Sequence, residues 1–414
     1  MRAYFSIIIL SLFLFISCGT SKQFISNKIE IPTDFAGMVH AGHTKTPAEY
    51  HFIDEMGISW VLTTFYWGSI EHKEGVWDFA STDAFVDSAR SYSKKIIAVL
   101  GYQTDWIYPQ GGSKKYISPA HIPDFVNFVE KTVSRYKGKI DAWQIWNEPN
   151  FKMFWKGSKE DYLALTAAAS AKIQQIDPQA KVLMGGFNLL GYGKYLQSLF
   201  NSNLMTSGRA ASFHPYNATP LWSAGIFDNF AKRLNKNHFQ GEIFVTEVGY
   251  PTGGWYPSKV GDKKLGAYIV KTLTLLAIRG VRVACWYQLF DPDPQKRNKS
   301  NSEDYFGLAF HNYTYKQGAK AYPACVKNIA GKTYIPQYQA FTNIPKSVST
   351  FYFEGNDGTK TLILWKKSAG TKKISLPSTV KNATLFDAKT EITRPVEENE
   401  ILKVTPFPFI ITWK

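Results

Sequence analysis

From about Pro32 to Gly331, short apolar runs alternate eight times with longer amphipathic stretches, and few architectures can absorb that rhythm. The expected strands are Phe35–Val39, Trp60–Thr64, Lys95–Leu100, Ala142–Trp146, Lys181–Met184, Ala211–Phe213, Ile243–Thr246 and Val283–Tyr287. Between and after them helices are expected at Pro47–Met56, Asp83–Ser93, His121–Tyr136, Lys159–Ile176, Tyr192–Phe200, Trp222–Leu234, Lys264–Arg279 and Ala319–Ile329. Eight such units over about three hundred residues predict an α/β chain folded as a (β/α)8 TIM barrel, which needs about 250 residues and grows by insertion. A doubly wound open sheet is the competing arrangement. It would want a glycine-rich phosphate loop after the first strand, and Phe35 to Thr46 holds no such pattern.

After the eighth helix the pattern turns to β-only runs separated by Gly-Asn-Asp-Gly, Ser-Ala-Gly and Glu-Glu-Asn, the mark of a small C-terminal β-sandwich. The expected division is a barrel over 32–333 and a sandwich over 345–414. Ahead of both, Arg2 and the apolar run Phe5 to Ile16 read as an export signal, too short for a membrane span. Phe15-Ile16-Ser17-Cys18-Gly19 follows and resembles the lipobox of bacterial lipoproteins. That resemblance implies a signal peptide over 1–17, lipidation of Cys18, a polar tether over 18–31 and anchoring at a bacterial outer membrane or cell surface. An ordinary signal with an incidental cysteine is the alternative.

A formal charge of +15 could favour anionic partners, but the basic residues are scattered, with no basic helix, RNA-binding signature or zinc-finger spacing. Nucleic acid is therefore not an expected partner. Cys285 and Cys325 fit neither a zinc site nor a redox pair, so two buried free thiols are expected, with a disulfide as the alternative. If Trp286 points into the barrel, Cys285 points out toward the helices. No metal and no cofactor are called for.

The strand read at Ala142–Trp146 runs straight into Asn147-Glu148-Pro149, and proline ends it. About a hundred residues later Ile243–Thr246 runs into Glu247, followed by Gly249 and Pro251. Either glutamate alone could merely open a turn. Two of them on strand tips suggest a pair meeting across one pocket, because the chemistry of a barrel collects where strands end. His40, Tyr102, His214, Tyr216 and Trp286 also fall at strand ends. His214 and Tyr216 are two apart and share a face if the chain stays extended, whereas Asn147 needs a twist or bulge to join Glu148.

Two carboxylic acids on opposing strand tips can cleave a glycosidic bond without metal or cofactor, one protonating the leaving oxygen and the other attacking the anomeric carbon. Here the sequence resembles glycoside hydrolases of clan A, and most of all family 39. The resemblance rests on Trp146-Asn147-Glu148-Pro149, His214-Pro215-Tyr216, Thr246-Glu247 and Trp286-Tyr287, with a similar segment from Gly57 through Asp83. It implies Glu148 as general acid/base and Glu247 as nucleophile. Asn147, His214, Tyr216, Trp286, His40 and Tyr102 would bind substrate, Asn147 at the sugar 2-hydroxyl, Tyr216 against Glu247 and Trp286 as a stacking floor. In one departure, Leu62 stands where many clan members carry an arginine that helps ionise the nucleophile. The expected function is a monomeric retaining β-glycosidase acting on an oligo- or polysaccharide; the alternative is a non-catalytic carbohydrate-binding or adhesin lipoprotein on the same barrel.

Overall fold

The computed structural model describes residues 27–39, 46–108, 115–206, 209–255, 259–336, 338 and 344–414. A short strand, β1 (Ile29–Glu30), precedes the barrel. Strands β2 (Ala36–Val39), β3 (Trp60–Phe65), β4 (Lys95–Leu100), β5 (Ala142–Ile145), β6 (Lys181–Asn188), β7 (Arg209–His214), β8 (Ile243–Val248) and β9 (Val283–Trp286) run parallel in chain order. β9 pairs back onto β2 and closes the ring.

The helices are α1 (Pro47–Glu55), α2 (Trp67–Ile70), α3 (Ala80–Ser91), α4 (Ile122–Arg135), α5 (Lys159–Ile176), α6 (Tyr192–Asn201), α7 (Pro220–Lys236), α8 (Asp262–Ala277) and α9 (Ala321–Ile329). The expected (β/α)8 barrel is present, and the short α2 is an addition to it. Local chemistry explains several helix starts. Thr46 and Thr219 each accept a backbone N–H ahead of a proline, and Ser158 with Asp161 forms a reciprocal capping box.

Strand alternation decides what points inward. Val39, Leu62, Val99, Leu183, Phe244 and Cys285, with others of the same parity, form an apolar column along the axis. Their sequence neighbours, among them Met38, Val61, Ala98, Phe213 and Trp286, pack against the helices instead. Gly37 faces Cys285 across the β2–β9 pair, where an added Cβ would lie 2.5 Å from the sulfur. Cys285 therefore points inward, against the expectation, while both thiols are buried and free as expected.

Ion pairs close the end of the barrel where the strands begin. Arg282 donates to both oxygens of Asp34 at 2.7 and 2.8 Å, and Lys95 reaches the same carboxylate at 2.6 Å. Glu242 joins Arg282 to Lys181. The strand tips lie at the opposite end.

After the barrel come β10 (Lys332–Tyr334), β11 (Val348–Gly355), β12 (Lys360–Lys366), β13 (Lys372–Ser375), β14 (Thr384–Asp387), β15 (Ile392–Pro395), β16 (Ile401–Val404) and β17 (Phe409–Trp413). Seven strands form an antiparallel sheet in the order β1-β10-β11-β12-β17-β14-β15, and β13 pairs with β16 as the second layer. Tyr352, Leu364, Leu402 and Ile411 fill the space between the layers, whereas Phe353, Ile363 and Trp365 belong to the same core as the barrel helices. The stretch read as a tether ends differently. Ile29 and Glu30 pair with Tyr334 and Thr333, so the chain joins the C-terminal sheet before it enters the barrel. Cys18 and the signal segment lie outside the described residues.

Candidate active site

Three interruptions of regular strand geometry assemble the pocket. β5 ends at Ile145, and Trp146 and Glu148 take left-handed backbone angles, φ 66° and 44°. Such conformations cost a non-glycine residue about 1–2 kcal/mol each and persist only where packing holds them. Trp146 is gripped between Tyr102 and Trp155, each ring 5.0 Å away, and the Glu148 amide donates to Gly186 at 3.0 Å. This is the twist Asn147 needs, and its side chain lies near the Tyr102 hydroxyl.

β6 shifts register between Gly185 and Phe187, and at its end Asn188 reaches Glu148. β8 shifts between Val245 and Val248, turning Glu247 toward the pocket while Val245 and Val248 both remain in the helix-side core. β7 needs no such device. Ser212 and His214 share the inward parity of Ala210.

One oxygen of Glu148, one of Glu247 and a ring nitrogen of His214 all lie within 4.8 Å of one another. His214 Nδ1 stands 2.9 Å from Glu148 Oε1 and 3.6 Å from Glu247 Oε2. Glu148 Oε1 also accepts from Asn188 Nδ2 at 3.1 Å, and Glu247 Oε2 accepts from the Tyr216 hydroxyl at 3.3 Å. Burial, and then the negative charge of Glu148, push the Glu247 carboxyl up to about 7 against the pull of His214 and Tyr216. Burial opposes a charge on His214, but the two glutamates outweigh it and hold the imidazole above its usual value. Leu62 lies in the apolar column beside Val39, Val99 and Cys285, so that position brings no cation to the pair.

Among the described residues, Glu148, His214 and Glu247 are also the one group spaced to ligate a metal. Both ring nitrogens of His214 are already hydrogen-bonded within the protein, to Glu148 and to Thr246 at 3.0 Å, so the set fits an ion poorly.

Glu148, Glu247, Asn147, His214, Tyr216 and Tyr102 are thus brought together. Trp286 is not. It is fully buried in the helix-side core, 6.0 and 6.3 Å from the rings of Tyr250 and Tyr322. The parity at β9 is one residue out from the expectation, and Tyr287 is the residue that turns to the pocket. Its hydroxyl donates to Glu303 Oε2 at 2.8 Å. His40 lies outside the described residues.

Asn188 and Glu303 escaped sequence reading. Burial pushes the Glu303 carboxyl up to about 7, its bond from Tyr287 working against this and the charges of Glu247 and Glu148 adding to it. Its one signal was its place in the long loop after the eighth strand. Asp291 pins that loop through Lys316 and Arg297 at 2.8 and 3.1 Å.

The fold has known counterparts. No family model matches the sequence. A family 39 glycoside hydrolase from Bacteroides cellulosilyticus superposes with a TM-score of 0.76 at 19% identity, covering 93% of this chain and 81% of that one. A family 39 β-xylosidase from Caulobacter crescentus gives 0.68 at 14%, over 94% and 98%. A family 30 endoxylanase from Clostridium papyrosolvens gives 0.63 at 11%, over 94% and 98%. The chain therefore shares the fold of these glycoside hydrolases, a (β/α)8 barrel with an appended β-sandwich. In sequence, 230 residues are 27% identical to endo-1,4-β-xylanase A of Phanerodontia chrysosporium, 53% of this chain. The match spans less than half, 45%, of that relative's length.

Proposed function

We propose that the protein is a retaining glycoside hydrolase that cleaves β-glycosidic bonds through a covalent intermediate, with Glu148 as general acid/base and Glu247 as nucleophile. One observation carries the reading: an oxygen of Glu148 and an oxygen of Glu247 lie within 4.8 Å of each other. That agrees with the separation of about 5–5.5 Å used for double displacement and falls short of the roughly 6.5 Å that would admit a water for inversion.

In the first step a Glu247 oxygen bonds to the anomeric carbon as the glycosidic bond breaks, and Glu148 gives its proton to the departing oxygen. In the second, Glu148 takes a proton from water, whose oxygen displaces Glu247 from the sugar. Two carboxyls this close resist ionising together, which keeps one proton available to the pair. Tyr216 holds Glu247, and Asn147 stands next to Glu148 where a sugar 2-hydroxyl would pass. The names of the similar proteins, xylanase, β-xylosidase and endoxylanase, make β-linked xylose chains the first substrates to try.

The test is mass spectrometry after incubation with 2-fluoro sugars, together with turnover of a β-glycoside panel by Glu148→Gln and Glu247→Gln. An adduct on Glu247 and loss of turnover in both variants are expected; unchanged turnover in either would sink the reading. We also propose export and lipid attachment at Cys18, with the protein monomeric. Cys18→Ala should then move the protein from the membrane fraction to the soluble one.

A further inference from the structure

The histidine between the two glutamates is tied to a buried chain of hydrogen bonds whose direction can be worked out. Gln144 contacts the Trp146 carbonyl at 3.0 Å, and a carbonyl can only accept, so the Gln144 amide nitrogen faces it. Gln144 Oε1 therefore faces Ser212, 2.8 Å away, and takes that hydroxyl's single proton. The Ser212 oxygen must then accept from Thr246, 2.5 Å away, which uses the proton of Thr246. What is left to Thr246 is to accept from His214 Nε2 at 3.0 Å.

We propose that Gln144, Ser212 and Thr246 are positioning residues that lock His214 with its proton on Nε2, leaving Nδ1 as the exchangeable position facing Glu148. All four side chains are fully buried, so no bulk water can substitute for a missing link. Gly186 supplies a second sign that the chain is built. It stands at φ +60°, and an added Cβ would lie 2.5 Å from the Gln144 amide nitrogen.

The consequence falls on the acid/base. With Nε2 protonated, Nδ1 can accept from Glu148 when Glu148 holds a proton, and can donate to it when the proton has crossed to the ring. One proton moves within one 2.9 Å contact, and the bond survives in both forms. The opposite tautomer would always donate from Nδ1 and would favour the ionised carboxylate alone. The groups facing the ring are Glu148 at the end of β5, Glu247 and Thr246 on β8, and Tyr216 beyond β7.

The experiment is a pH titration of the full chain labelled with 15N-histidine, read by long-range proton–nitrogen correlation, with His214 assigned by its loss in His214→Gln. Nε2 is expected to stay protonated across the titration while the Nδ1 signal moves. A signal showing Nε2 as the nitrogen that loses its proton overturns the proposal. Thr246→Val removes the acceptor and should make Nε2 the titrating nitrogen. Because Nδ1–H then favours ionised Glu148, the alkaline limb of kcat/KM should move to lower pH. Thr246→Ser keeps the hydroxyl and should keep the wild-type nitrogen pattern. A folded Thr246→Val with both nitrogen pattern and limb unchanged counts against the lock; should that variant not fold, the wild-type titration decides. The limb shift rests on the glycosidase reading but the spectrum does not, so an inactive protein with the expected spectrum would overturn only that reading.

Discussion

The Tyr287 hydroxyl donates a 2.8 Å hydrogen bond to Glu303, tying the residue after β9 to a loop acid that feels the charges of both Glu247 and Glu148. A third carboxyl at the mouth can accept from sugar hydroxyls without taking part in bond cleavage. Glu303→Ala should lower kcat/KM about 10- to 100-fold, the loss of one or two charge-assisted hydrogen bonds. Steady-state kinetics on whichever β-glycoside is turned over will check this. An effect under twofold would remove Glu303 from the site.

As the proposed nucleophile Glu247 must be ionised to attack, and its carboxyl is pushed up to about 7, by burial above all. The acid limb of kcat/KM should therefore fall as pH drops through about 7. Tyr216 favours the ionised form by donating to Glu247, so Tyr216→Phe should move that limb to higher pH. A limb that moves down, or not at all, would break the link between the two residues.

The same raised carboxyl destabilises the fold. With a folded value of about 7 above the unfolded one near 4.5, Glu247 costs nothing at low pH, and its penalty grows as pH rises from the unfolded value through the folded one. Glu247→Gln should accordingly stabilise the protein by about 2 kcal/mol at pH 8 and by little at pH 4. Urea unfolding at the two pH values gives the comparison, and equal effects at both would contradict it.

At the opposite end of the barrel the signs reverse. Burial alone would raise the Asp34 carboxyl, but Arg282 and Lys95 outweigh it and hold it well below the usual carboxylate range. The resulting stability is present above the unfolded value and is lost as pH falls through the folded one. Arg282→Leu should cost about 2 kcal/mol at pH 7, less than for a fully buried pair because both side chains keep some exposure. The deficit should shrink below pH 4 as the unfolded aspartate takes up its proton, and the proposed glycosidase turnover of the folded protein should be unaffected.

Trp286 provides a test of the strand parity. Buried among Tyr250 and Tyr322 in the helix-side core, it contributes packing, so Trp286→Ala should destabilise by about 3–5 kcal/mol. In the fraction that remains folded, KM should stay near wild type, whereas a selective rise in KM would return this indole to the site.

The barrel was legible because burial on both faces of each parallel strand leaves an unbroken apolar run, and the intervening helices carry their own periodicity and caps. β15 was not, since all four of its residues are exposed and present no apolar alternation to read. Nor was β1, which is two residues long and pairs with a strand some three hundred residues away. In the site, Glu148, Glu247, His214 and Tyr216 could be found because each follows an apolar run in sequence. Their convergence, and the exchange of Trp286 for Tyr287, depend on left-handed residues and register shifts at β5, β6 and β8. Side-chain alternation counts residues along one strand, so it cannot register a slip that pairing with neighbours imposes. Sequence alone determined which elements form and which acids stand at their ends. Tertiary structure decided which of those side chains face one another, because that is settled by contacts between segments remote along the chain.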